Sequence, residues 1–169
     1  CKYMPAWLGA GIKVVLVVAS VGVAKLVEKR GAAAVIAEGG ESGGHIGELT
    51  TMALVPQICD AVKIPVIAAG GIADGRQLAA AFMLGAVGVQ VGTRFLVAKE
   101  CTISPVYKEK ILKAKDIDTI STGRRLGHPV RALKTPFTRE LAHMEYDSNI
   151  SDEELEQFGV GALRKAARE

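Results

Sequence analysis

Ile64-Pro65-Val66-Ile67-Ala68-Ala69-Gly70-Gly71-Ile72-Ala73-Asp74-Gly75 and Val89-Gln90-Val91-Gly92-Thr93-Arg94-Phe95 are the two stretches whose reading decides the fold. Each is a short apolar, β-rich run that ends in glycine, and the glycines lie 22 residues apart. A glycine lets a backbone N–H approach an anion with no Cβ in the way. A helical pattern follows the first loop directly, and a helix N-terminus adds donors and a favourable dipole. Two such loops on neighbouring strands make one phosphate cradle, as expected after strands 7 and 8 of a β/α barrel. The plainer reading is two tight turns with no ligand.

Working outward, the rhythm is strand then helix, repeated. Ile12 to Val18 is a β-branched run that predicts a strand buried on both faces. Val21 to Arg30 reads as a helix with Gly31 at its C-terminal cap. Further strands are expected at 33–37, 64–69 and 86–91, and helices at 50–62, 76–84 and 104–114. Pro56 predicts a kink, or a helix that begins near Val55. Pro105 suits a first helical turn, whereas Pro5 weakens a helix at 2–9. Four β/α units do not close a barrel. The fold expected is α/β: a (β/α)8 TIM barrel of which residues 1–115 supply the second half. A four-stranded doubly wound sheet is the alternative. Residues 116–169 read as an irregular cap, then a helix opened by Ser151 and Glu154 and closed by Arg164, Lys165 and Arg168.

The 169 residues are 49% apolar and hold three cysteines with no metal-like spacing. The expectation is a reduced, cytoplasmic chain without a metal site, membrane span or signal peptide. It starts at Cys1, so it reads as processed or as a piece of something longer. Between Lys99 and Lys134, nine Lys or Arg face four Asp or Glu, a local charge of +5. That is a solvated helix face or a docking surface for an acidic or phosphorylated partner. Nucleic acid is not expected, because no aromatic residues interleave with the charges.

Between Gly39 and Gly47 five glycines fall in nine residues, around His45. Such backbone suits close approach to something flat. His45 is a proton donor or hydrogen-bond donor beside a ligand, or a structural histidine. Glu38 stands at a strand end, where a carboxylate points into a barrel mouth; Glu41 reads as solvent-exposed or as part of the site. Gln90, flanked by Val89 and Val91, reads as a buried amide in need of partners. Arg94 either supports the phosphate or pairs with an acid. His128 and His143 read as structural and surface residues.

The segment from Val35 to Gly47, the two glycine loops, Tyr107 to Thr119 and Gly127-His128-Pro129-Val130-Arg131-Ala132 closely resemble the type II flavin-dependent enoyl-acyl-carrier-protein reductases of bacterial fatty-acid synthesis. Their superfamily includes the nitronate monooxygenases, or 2-nitropropane dioxygenases. Glu38, where monooxygenases typically carry glutamine, and the last two segments look like the reductase. The resemblance implies a β/α barrel holding FMN. Gly70, Gly71, Gly92 and Thr93 would hold its phosphate; Gly43, Gly44 and His45 would lie beside the ring; Glu38, Gln90 and Val91 would complete the cofactor site. It further implies NADH or NADPH as co-substrate, an acyl-carrier-protein thioester as substrate, His45 as the catalytic residue and a homodimer. Two alternatives stay open: a nitronate monooxygenase, and an incomplete barrel that binds a phosphate ligand without catalysis. The family's first four β/α units are absent here.

Overall fold

The apolar runs that precede the glycine loops stand side by side in one parallel sheet. A computed structural model describes residues 2–162. In chain order the elements are α1 (Met4–Gly9), β1 (Val15–Val18), α2 (Val21–Lys29), β2 (Ala34–Glu38), β3 (Gly44–His45), α3 (Thr51–Ala61), β4 (Val66–Ala69), α4 (Gly75–Met83), β5 (Gly88–Gln90), α5 (Thr93–Leu96), α6 (Pro105–Lys113), β6 (Thr119–Thr122), β7 (Val130–Leu133), α7 (Pro136–Tyr146) and α8 (Asp152–Gly159). They fall into two units, one of residues 2–42 and 46–92, the other of residues 43–45 and 93–162.

In the first unit the strand order is β1-β2-β4-β5, all parallel. The order follows the chain with no reversal. A doubly wound sheet reverses its order at a switch point and carries helices on both faces. Here the sheet residues in the apolar core are Val14, Leu16, Val18, Val35, Ala37, Val66, Ala68 and Val89, packed with Ala24 and Val27 of α2, Leu54, Val55 and Ile58 of α3 and Ala81 of α4. The alternating residues Val15, Val17, Ala34, Ile36, Ile67 and Ala69 take no part in that core. Sequential strands with helices on one face are half of a β/α barrel. This also corrects the reading of β1. Its second face is open, with Val15 and Val17 exposed at 45% and 52%, because no helical layer covers it.

The local signals act as their chemistry requires. At Gly31 the backbone takes φ +93. Its N–H reaches the Glu28 carbonyl, and that of Ala32 reaches Val27, closing α2 in a Schellman motif. Helix α3 runs from Thr51 straight through Pro56, not from Val55 as the alternative reading had it. Its buried face of Leu54, Val55 and Ile58 holds together what proline weakens. Pro5 and Pro105 both sit in first turns. No described helix is long and apolar enough to cross a membrane.

The second unit has more order than its sequence suggested. The stretch 116–150 contains β6, β7 and α7. Strand β7 pairs antiparallel with β6 and with β3. Pro136 opens α7, where the Thr135 hydroxyl accepts from the Thr138 N–H. Ser151 and Glu154 form the expected capping box at α8. Arg164, Lys165 and Arg168 lie outside the described residues, as does Cys1; Cys59 and Cys101 are free thiols.

Candidate anion-binding site at the strand ends

Parallel pairing puts the carboxyl ends of β2, β4 and β5 at one edge of the first unit. In register, Glu38 pairs with Ala69, and Ala69 with Gln90. These three side chains share the face opposite the helices. Gly70-Gly71 leaves β4, and Val91-Gly92 leaves β5, from adjacent positions at the same end.

The turn after β4 is built for glycine. Gly70 and Gly71 have φ of +101° and +69°, a region that other residues occupy at a cost. A Cβ on Gly70 would lie 2.8 Å from the Thr51 hydroxyl, 2.9 Å from the Gly39 carbonyl oxygen and 3.0 Å from Ser42 Oγ. The protein itself fills that side. At Gly92, by contrast, a Cβ would meet nothing within 4 Å. Among the described residues, the N–H groups of Gly70, Gly71 and Gly92 donate no hydrogen bond to the protein. N–H groups without a protein partner on turns that leave adjacent strands at one end are what an anion takes up. The residues therefore fit a phosphate group.

Helix α4 contributes less than its position suggested. The Asp74 carboxylate accepts from Arg76 N at 2.8 Å, and the Gln77 side chain caps back onto Asp74 N at 2.8 Å. The helix start is thus occupied by the chain's own carboxylate, and the donors left for a ligand belong to the glycine turn. The Arg76 guanidinium on Asp74, with the Arg76 N–H, holds the Asp74 carboxyl down at about 2.

Glu38 is half-buried, and burial pushes its carboxyl above the usual carboxylate range, partly offset by a hydrogen bond from Ser42. Gln90 is exposed, not buried as its sequence setting implied; the face it stands on carries no packing layer. Val91 is half-buried. Sequence reading undervalued Glu41, whose carboxylate is hydrogen-bonded to Thr51. Only its proximity in the fold reveals this, since Thr51 lies ten residues on.

The other residues singled out from the sequence belong to the second unit. His45 is exposed on β3, opposite Val130, and Gly44 lies opposite Arg131. Gly44 has φ +82 and open space where a Cβ would stand. A Cβ on Gly43 would come within 3.8 Å of the Thr93 hydroxyl. Thr93 and Arg94 are exposed on α5. His128 sits in the β6–β7 turn with its N–H on the Gly123 carbonyl, and His143 is exposed on α7. Among the described residues no group of three or more His, Cys, Asp or Glu could hold a metal ion.

The model of the family described as nitronate monooxygenase matches residues 8–169. A probable nitronate monooxygenase of Staphylococcus saprophyticus is 42% identical over 167 residues, which are 92% of this chain and 46% of that protein. One from Staphylococcus aureus strain JH9 is 39% identical over 168 residues, 94% of this chain and 47% of that protein. The chain spans about half the length of the curated relatives it matches. Among solved structures, FabK from Thermotoga maritima is similar at TM-score 0.92 and 55% identity, over 98% of this chain and 52% of that one. Nitroalkane oxidase from Streptomyces ansochromogenes is similar at TM-score 0.75 and 29% identity, again over 98% and 52%.

Proposed function

The chain belongs to the nitronate monooxygenase family, and on that footing we propose that it is the phosphate-binding half of an FMN-dependent oxidoreductase that reduces trans-2-enoyl thioesters of an acyl carrier protein with NADH or NADPH. The observation that carries the flavin reading is the set of unsatisfied N–H groups at Gly70, Gly71 and Gly92, on turns that leave adjacent strands at one end. The reductase reading is supported by 55% identity to FabK against 29% to nitroalkane oxidase, and by the carboxylate of Glu38.

In this reading the N–H groups of Gly70, Gly71 and Gly92 and the Thr93 hydroxyl hold the FMN phosphate. Gly43 and Gly44 leave the backbone bare for the approach of a flat ring, and Val91, Gln90 and Glu38 line the strand ends. When bound, FMN supplies the two-electron relay between nicotinamide and substrate. His45 donates an imidazole N–H to the thioester oxygen, where negative charge builds, or delivers the proton that the α-carbon takes up. Fixed donors aimed at that oxygen are where most of the rate gain is sought.

Nitronate oxidation is the second reading, favoured by the family's description and by the curated relatives. Bound flavin does not separate the two. Purified protein is assayed with crotonyl thioester and NADH, and separately with a nitronate and oxygen. Turnover of the first pair alone is expected; turnover of the second alone overturns the reductase reading. A chain that takes up no FMN at micromolar concentration overturns the reading that this half binds flavin and works by itself.

A further inference from the structure

Glu41 lies in the glycine-rich loop after β2, yet its side chain is spent on another element. Its Oε2 accepts from Thr51 N and from Thr51 Oγ1, both at 2.9 Å, and its Oε1 from Thr51 N at 3.1 Å. Thr51 is the first residue of α3, and the Thr50 side chain at the N-cap makes no capping bond. The cap is therefore supplied from ten residues upstream, where a negative charge also suits the helix dipole. The Thr51 hydroxyl lies 2.9 Å from the Gly70 carbonyl oxygen and 3.2 Å from that of Ala69. The hydroxyl has one proton for these three acceptors, so the Glu41 carboxylate is held through the Thr51 N–H and the hydroxyl proton is left to the turn carbonyls. The stem of Glu41 lies over the turn as well: a Cβ on Gly71 would be 3.2 Å from Glu41 Cβ and 3.6 Å from Cγ.

We propose that Glu41 is a positioning residue: acting through Thr51, and with its stem filling the space beside Gly71, it holds the Gly70-Gly71 turn with its N–H groups aimed at the ligand phosphate. The inference rests on the flavin reading. The carboxylate touches no ligand. It clamps the start of α3 to the carbonyls of the turn, and a carbonyl fixed in direction fixes the N–H of the next residue, since the peptide unit is planar. Without the clamp, two adjacent glycines have the widest conformational choice of any dipeptide, and ordering them falls to the ligand, which then binds more weakly.

The test uses the 169-residue chain and its Glu41→Gln, Glu41→Ala and Thr51→Ser variants. Backbone order parameters from 15N relaxation are followed at the Gly70 and Gly71 amides without ligand, and FMN is titrated by flavin fluorescence. Glu41→Ala is expected to lower the order parameters at both amides from about 0.85 to below about 0.6, and to weaken FMN binding by about tenfold. Glu41→Gln, with one carbonyl acceptor left, falls between; Thr51→Ser, which keeps the hydroxyl, matches the parent in both measurements. Parental order parameters in Glu41→Ala, or in Glu41→Gln should the alanine variant not fold, overturn the proposal. So does greater mobility without loss of FMN affinity. A parent chain that binds no FMN defeats the flavin reading, and the order parameters still decide whether Glu41 orders the turn.

Discussion

Replacing Gly70 with alanine tests the geometry of the turn most directly. The residue sits at φ +101, and holding a side-chain-bearing residue in such a region costs about 1–3 kcal/mol. The new methyl carbon would lie 2.8 Å from the Thr51 hydroxyl and 2.9 Å from the Gly39 carbonyl oxygen, closer than such contacts allow. Relief requires a shift of the Gly39 or Gly70 backbone or of Thr51 Oγ1, which loosens the Thr51 bond to the turn, at a further cost of about 1–3 kcal/mol. The sum, about 2–6 kcal/mol, lowers Tm by roughly 5–20 °C for a chain of this length. Circular dichroism melting of the variant and the parent reads it. Gly92→Ala is the internal control, since nothing lies within 4 Å of its Cβ. It keeps the parental Tm, yet weakens FMN binding about tenfold because the methyl enters the open space beside the N–H. A Gly70→Ala chain melting within about 2 °C of the parent would refute the crowding argument.

Three more outcomes are expected. The Asp74 carboxyl is held at about 2 by Arg76, below its unfolded 3.8, so its contribution is complete above about pH 4 and disappears as pH falls toward 2; urea midpoints of Asp74→Asn that track the parent across that window would count against this. Arg125→Ala removes bonds to Asp152 Oδ1 (2.8 Å), the Asp147 carbonyl (3.1 Å) and the Ile150 carbonyl (2.6 Å); stability falls by about 2 kcal/mol, and Arg125→Lys does not restore it because an ammonium lacks the fork. An unchanged urea midpoint in both variants contradicts a stabilising role for these three bonds. On the proposed reaction, His45→Ala slows flavin reoxidation by enoyl thioester by about 100-fold while flavin reduction by nicotinamide is nearly unchanged; equal slowing of both half-reactions in stopped flow removes His45 from the role given to it.

The strand–helix alternation was legible because its signals are local. A run such as Val66 to Ala69, a cap such as Ser151 with Glu154, and a terminator such as Gly31 each act within a few residues. The glycine loops were legible for the same reason: a positive φ at Gly70 and Gly71 is a property of the turn they make. Strands β6 and β7 were not. They are four residues each and half-exposed, and β7 completes its pairing with Gly44 and His45, far back in the chain. Helix α7 lay inside the stretch that read as an irregular cap; Pro136 stands in its first turn, where the missing N–H costs nothing.

From its residues alone the chain declared a repeated strand–helix unit with two glycine turns, since propensity, capping and backbone freedom are set by near neighbours. That every helix of the first unit covers the same side of its sheet, leaving Val15 and Val17 bare, was settled only in three dimensions. So was the reach of Glu41 across to Thr51 and the occupation of the α4 start by Asp74. An apolar β-branched run carries no mark of which layer will cover it, and a carboxylate carries none of which donor it will meet. Both are decided by which elements pack together.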